Sequence, residues 1–354
     1  SPTGGAAIQQ IYDRLRARFD SFVTYSIDYR IYNLKQLAYL IKDNELAIHT
    51  AMKQDLDEGA YQVNIAELYT TICEIDLAVK RLPEWMADER RLRDARFAFK
   101  FMNPRIRKQP KGIALPSELA PNSAKLLAEL IPRYLDPDGY AVVCGGADRA
   151  TRLLEKQWGH ILYTGSGSVG KIVATAAAKT LTPTTLELGG KSPVIISSCA
   201  DVDKAARRMT SIKQLCAGQI CVCPDYVLCS SDRVDDFISA CTETLNTFFP
   251  PDPSPQSILH TPMSASLLQE RHFERQQNML EKAQLEGKVV YRGESDKQRR
   301  RMGVSLVKLD KDGIGETGSL VEDEIFGPVL PIIPVQDLDA AIRYINVRPH
   351  PLAF

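Results

Sequence analysis

The sequence has no net charge: 44 Lys and Arg residues balance 44 Asp and Glu residues. That balance removes any global pull toward nucleic acid or an anionic membrane surface, and no nucleic-acid partner is expected. No apolar run approaches the roughly 20 residues that a membrane helix needs, so no membrane segment is expected. The opening residues 1–8 also lack the basic and apolar regions of a signal peptide. Cysteine is sparse, with eight in 354 residues at positions 73, 144, 199, 216, 221, 223, 229 and 241. Such irregular spacing is no disulfide scaffold and points to a reducing, cytoplasmic setting. No histidine lies near Cys216, Cys221 or Cys223, which argues against zinc. Internal repeats and low-complexity tracts are missing too. The one concentration of positive charge, Lys297 with Arg299, Arg300 and Arg301, reads as a solvated loop.

What is present is the composition of a globular protein, 44% hydrophobic and 25% charged. The length exceeds what a single core usually serves, so two domains are expected. Residues 7–89 repeat apolar positions at helical intervals, as in Ile65, Leu68, Ile72 and Ile75. Prolines 83, 104 and 110 then interrupt the pattern, with residues 97–102 as a strand or an extended arm. Next comes an alternation: helix at 123–130, strand at 140–143, helix at 149–156, strand at 160–163 and helix at 169–180. This is the beat of a parallel α/β sheet. Residues 184–197 carry a strand pattern broken by Gly189 and Gly190, followed by helices at 202–213, 234–247 and 267–286 and strands at 226–229 and 289–291. The expected division is a first domain of residues 1–188, a second of 189–331, and a final segment, 332–354, that returns toward the first.

The string Gly165-Ser166-Gly167-Ser168-Val169-Gly170 has G-x-G-x-x-G spacing between an expected strand and an expected helix. Glycines permit a tight turn and close backbone approach, and the free amides at a helix start favour a diphosphate. Spacing alone leaves dinucleotide binding and plain packing equally open. Further on, Glu187 stands on an apolar strand before a glycine turn, where burial would raise its pKa toward that of a general base. An ion pair between Glu187 and Lys191 is the competing reading, and the commoner fate of such a carboxylate. Cys221 lies between Gly218-Gln219-Ile220 and Val222-Cys223-Pro224. A flexible approach and a rigid exit suit an exposed nucleophile, against the alternative of a buried, inert thiol.

Three strings together, the glycine loop, "LELGGKSP" at 186–193 and "GQICV" at 218–222, resemble the aldehyde dehydrogenases. Within that family the chain is most similar to the class 3 and fatty aldehyde dehydrogenase branch. The strings are "LPEWMADE" at 82–89, "PSELAPNSAKLLAELIPRYLDPD" at 116–138, "HILYTGS" at 160–166 and "EDEIFGPVLP" at 322–331. The resemblance implies an α/β fold with a Rossmann-type cofactor domain and an α/β catalytic cysteine domain. It implies oxidation of a small-molecule aldehyde with NAD or NADP, a substrate of medium or long chain, and pairing as a homodimer. Cys221 would be the nucleophile and Glu187 the base. Gly165, Ser166, Gly170 and Leu188 would lie against the cofactor, Glu118 would reach a ribose hydroxyl, and Glu324 with Phe326 would hold the nicotinamide ribose.

The chain departs from the family in several places. Only Ile113, Ala114 and Leu115 stand between "RKQPKG" and "PSE", where the family carries a longer stretch with a Trp-Asn pair. That stretch supplies an oxyanion-stabilising asparagine, a donor worth on the order of a hundredfold in rate. Ile220 replaces a usual threonine, Cys216 an asparagine, and Leu115 the lysine before "PSE". The sequence also reaches Phe354 before the family's last segments. An impaired or inactive remnant of an aldehyde dehydrogenase is therefore the alternative reading.

Overall fold

A computed structural model describes residues 3–90, 97, 105–106, 120–311, 318 and 320–354. The chain divides into two compact units. The first comprises Ser1–Ala51, Val63–Tyr163 and Lys171–Leu186, and the second comprises Met52–Gln62, Thr164–Gly170 and Glu187–Phe354.

In the first unit, α1 (Gly5–Asp20), α2 (Ile27–Asp43), α3 (Thr70–Met86), α4 (Pro121–Tyr134) and α5 (Ala147–Leu154) make up most of the described chain. Ser26 caps α2 by accepting the Tyr29 amide, and Pro121 occupies the first turn of α4, where its missing N–H costs nothing. α3 continues past Pro83 to Met86. Asp136 is the polar hub of this unit: its Oδ2 accepts from Arg18 Nε at 2.7 Å and from the Tyr29 hydroxyl at 2.8 Å. These bonds lower the Asp136 pKa against the opposing effect of its burial. The strand expected at 140–143 does not form. Val143 packs with Ile8 and Leu153, and the main chain of Cys144 bonds to Thr3 instead of a neighbouring strand. The expected strand or arm at 97–102 falls, apart from Phe97, outside the described residues.

Two strands, β1 (Ile161–Gly165) and β2 (Thr184–Leu188), form a small sheet, with α6 (Gly167–Ala178) between them in sequence. Ile161, Val173 and Ala177 give them an apolar centre within the first unit.

The second unit is built on a five-stranded sheet. Its strands are β3 (Pro193–Ile196), β4 (Tyr226–Ser230), β5 (Val289–Tyr291), β6 (Ser305–Lys308) and β7 (Val329–Val335). Their order is β3-β4-β7-β6-β5, parallel except for β5 against β6. Helices α7 (Val202–Gln214) and α8 (Val234–Phe248) cover one face, packing on Val227, Cys229, Leu306, Leu330 and Ile332. On the other face, α9 (Glu270–Leu285) and α10 (Leu338–Asn346) pack on Tyr226, Leu228, Val307, Val329 and Ile333. Successive residues thus serve opposite cores, which explains why β4 and β7 are buried at every position.

The cluster 297–301 is solvated only in part: Lys297 and Arg299 are exposed, as its charge suggested, but its last residue is not. Arg301 is buried, with its guanidinium on Asp57 at 2.9 Å and on the carbonyls of Ile258, Leu259 and Thr261. Arg299 shares Asp57 at 2.8 Å. A segment of separate sequence, 52–62, is held to the unit by these bonds. Among the described residues no helix is long and apolar enough to cross a membrane.

Candidate functional site

All the described residues expected at the site belong to the second unit: Gly165, Ser166, Gly170, Glu187, Leu188, Cys221, Glu324 and Phe326. Glu118 lies outside the described residues.

The cysteine segment follows α7 through three consecutive left-handed residues, Cys216 (φ 49°), Ala217 (φ 52°) and Gly218 (φ 72°). Such a run turns the chain sharply and is strained at the two non-glycine positions. A Cβ at Gly218 would lie 2.4 Å from the Gly327 carbonyl oxygen, so only glycine allows the two loops to meet. Gln219 then bolts the loop down: its Nε2 donates to the carbonyls of Cys216 and Ser266 at 3.0 and 3.1 Å, and its Oε1 accepts the Leu268 amide at 2.9 Å. On the far side, fully buried Lys213 donates to the Pro224 carbonyl at 2.8 Å. Between these anchors the Cys223 amide bonds to the Ile220 carbonyl at 2.9 Å, closing a turn with Cys221 at its second position.

Cys221 is exposed on that turn while Cys223 is buried. Burial raises the Cys223 pKa and keeps it a neutral thiol, which leaves Cys221 as the reachable sulfur of the pair.

Glu187 is exposed, contrary to the buried position expected of it: among the described residues β2 pairs with β1 alone, and it shows alternate residues outward. The rival reading of Glu187 also fails. Lys191 pairs with Asp225 at 2.5 Å, both side chains being at least nine-tenths buried, and Lys191 also donates to the Asp323 carbonyl at 3.0 Å. No hydrogen bond joins Glu187 to Lys191 or to Cys221 among the described residues.

The glycine loop starts α6. Ser166 Oγ accepts the Val169 amide at 3.4 Å and the Ser166 carbonyl accepts the Gly170 amide at 2.9 Å. Gly170 is buried, and a Cβ there would lie 2.8 Å from Leu188 Cδ2, so the helix and β2 approach closely. Beside it, nothing would stand within 4 Å of a Cβ at Gly167. Packing therefore accounts for Gly170, and the open space at Gly167 leaves the first-turn amides approachable by an anion.

The fourth segment is 323–327. Glu324 is half-buried; a Cβ at Gly189 would lie 2.4 Å from its Oε2. Burial, and then the charge of Asp225, raises the Glu324 pKa, opposed by the Gly190 amide, Lys191 and Arg275. Phe326 is 40% exposed at φ 44°, a left-handed conformation costly for a bulky residue. Arg275 donates to the carbonyls of Glu324 and Ile325, and Gln276 to that of Ile325 at 2.7 Å, fixing the backbone between them.

Gly189 is where these pieces meet. Its amide donates to the Gly165 carbonyl at 3.3 Å, and the Glu324 carboxylate fills the space beside its α-carbon. The sequence reading missed Asp225. Its signal was an acid between a proline and a mostly apolar strand, a position where an unpaired charge would be prohibitive.

Residues 111–353 match the family described as the aldehyde dehydrogenase family. The chain is 34% identical over 369 residues to aldehyde dehydrogenase family 3 member B1 of Rattus norvegicus, spanning 96% of this chain and 76% of that protein. It is equally similar, at 34%, to the dimeric NADP-preferring aldehyde dehydrogenase of Canis lupus familiaris, spanning 98% and 80% of the two chains. Among solved structures, a substrate-bound Staphylococcus aureus AldH superposes with a TM-score of 0.88 at 31% identity, covering 98% of this chain and 80% of that one.

Proposed function

The chain belongs to the aldehyde dehydrogenase family and has its α/β fold, and from that premise we propose that it oxidises an aldehyde to a carboxylic acid, with Cys221 as nucleophile and Glu187 as base. Glu187 takes the Cys221 thiol proton and passes it to solvent, Sγ bonds to the carbonyl carbon, and the carbonyl π electrons move to oxygen to give a thiohemiacetal alkoxide. NAD or NADP, when bound, accepts the hydride that leaves this carbon. The product on the cysteine is a thioester. Glu187 then takes a proton from water, the resulting hydroxide attacks the acyl carbon, and the C–S bond breaks to release the acid.

The residues proposed to hold the cofactor are Gly165, Ser166, Gly170 and Leu188 at the helix start, Glu324 and Phe326 on the ribose side, and Glu118. The open approach beside Gly167 and the half-buried Glu324 carboxylate fit such a ligand: amides for phosphate oxygens, and an acceptor for sugar hydroxyls. A medium or long-chain aldehyde, a homodimer, a cytoplasmic setting and a functional division at residues 1–188, 189–331 and 332–354 belong to the same proposal.

One observation carries the reading: the turn of Cys221, the strand end of Glu187, the glycine loop and the Glu324 loop are joined through Gly189, Gly218 and Gly327. Four sequence-distant strings gathered at three glycines are what a nucleophile, a base and a cofactor require. The test is to follow reduced-cofactor absorbance with NAD or NADP and a long-chain aldehyde, comparing the protein with Cys221→Ser. A signal that Cys221→Ser abolishes supports the dehydrogenase. Its absence from the unsubstituted protein supports the remnant reading, which the short link at Ile113, Ala114 and Leu115 favours.

A further inference from the structure

We propose that Lys191 and Asp225 form a positioning pair that locks residues 323–325 onto the turn at 189–191 and thereby fixes where the Glu324 carboxylate stands at the cofactor site. The inference rests on the dehydrogenase reading above and adds two residues to it.

The geometry is a closed circuit. Asp225 Oδ2 meets Lys191 Nζ at 2.5 Å, and its Oδ1 accepts the Ile325 amide at 2.9 Å. Its own amide donates to the Ser192 carbonyl at 2.8 Å. Lys191 completes the loop by donating to the Asp323 carbonyl at 3.0 Å. One side chain thus grips the residue after Glu324, and the other grips the residue before it. Glu324 is confined between them with its carboxylate on Gly189.

Stability alone is a poor reason for this arrangement. Side-chain exposures of 10% for Lys191 and 4% for Asp225 mean that both charges are largely desolvated. A pair of that kind often contributes no more than apolar residues of similar volume would. Burial lowers the Lys191 pKa despite Asp225 beside it, so the site bears a real desolvation cost. What an ion pair supplies and an apolar plug does not is direction, here three side-chain hydrogen bonds that tie together the segments at 191, 225 and 323–325.

The charged and polar groups facing Glu324 are Asp225, Lys191, Arg275 and the Gly190 amide. The two partners act on it with opposite signs. Replacing Asp225 by Asn removes a like charge and leaves Lys191 unopposed, so Glu324 titrates at lower pH. Replacing Lys191 by Met removes a cation, so Glu324 titrates at higher pH. Both variants loosen residues 323–325 and should weaken cofactor binding about tenfold, whatever the direction of the titration shift.

The experiment is carboxyl NMR of the full chain labelled at glutamate Cδ, with Glu324→Gln assigning the resonance, alongside calorimetric titration with NAD and NADP. Opposite titration shifts in Asp225→Asn and Lys191→Met, with weaker cofactor binding in both, support the proposal. Variants that lower thermal stability but keep the Glu324 titration and the cofactor dissociation constants of the unsubstituted protein overturn it. Should Asp225→Asn not fold, Lys191→Met is compared with Lys191→Arg, which keeps the charge and should restore the titration; failure to restore it overturns the proposal. If the unsubstituted protein binds neither cofactor, the dehydrogenase reading falls. The hold on Glu324 is then supported by the opposite shifts alone, or overturned by their absence.

Discussion

The Glu324 carboxylate occupies the space that a side chain at Gly189 would fill, with Oε2 and Oε1 at 2.4 and 2.8 Å from the position of a Cβ. The obstructing atoms are the end of a flexible side chain, so Gly189→Ala should displace the carboxylate rather than the backbone. Stability is expected to change by no more than about 1 kcal/mol, while cofactor affinity falls about tenfold. Thermal unfolding and cofactor titration measure the two. A large stability loss with unchanged affinity would contradict this account.

Gly218 is the opposite case. Its φ of 72° and the Gly327 carbonyl, 2.4 Å from a would-be Cβ, put backbone against backbone. Gly218→Ala is expected to destabilise the protein by about 3 kcal/mol, the sum of left-handed strain and a clash that no rotamer relieves. The urea midpoint should fall accordingly, and a change below about 1 kcal/mol would show that the two loops part easily.

Cys216 stands at φ 49°, a conformation that asparagine adopts more readily than cysteine, and its Sγ lies 3.2 Å from Glu58 Oε1. An amide at this position can keep a donor toward Glu58. Cys216→Asn is therefore expected to stabilise the fold by about 0.5 to 1 kcal/mol, read from urea unfolding. A lowered midpoint would mean that the sulfur contact outweighs the backbone preference.

The thiols of Cys229 and Cys241 are pushed up to about 12 by burial. Above about pH 9 the unfolded chain releases these protons while the native protein holds them, so stability is complete below that pH and is lost as pH rises toward 12. The slope should approach 1.4 kcal/mol per pH unit for each thiol. Urea unfolding across that range tests the sign. At pH 8, iodoacetamide should label exposed Cys73, Cys199 and Cys221 in the native protein and spare Cys223, Cys229 and Cys241. Labelling of the second group without unfolding would contradict their burial.

The sequence by itself determined the α/β character, the ends of α7 and α8 to within a residue or two, and the strands at β4 and β5. Strands buried on both faces must be apolar throughout and helices packed on them must be amphipathic, so both patterns are written locally. Family resemblance was legible for the same reason, since glycines and reactive side chains keep their neighbours. β7 escaped because Pro331 and Pro334 argue against a central strand, yet it pairs on both sides with β6 and β4. Strand formation failed at 140–143 because β structure depends on a neighbour to pair with, which local sequence does not encode.

Only the tertiary structure decided who Lys191 pairs with. Glu187 was the nearer acid in sequence, but β2 turns that side chain outward and the fold brings Asp225, 34 positions away, to within 2.5 Å of the ammonium. Ion pairs form between groups that share a desolvated space, and which groups share it is settled by the packing of strands and loops far apart along the chain.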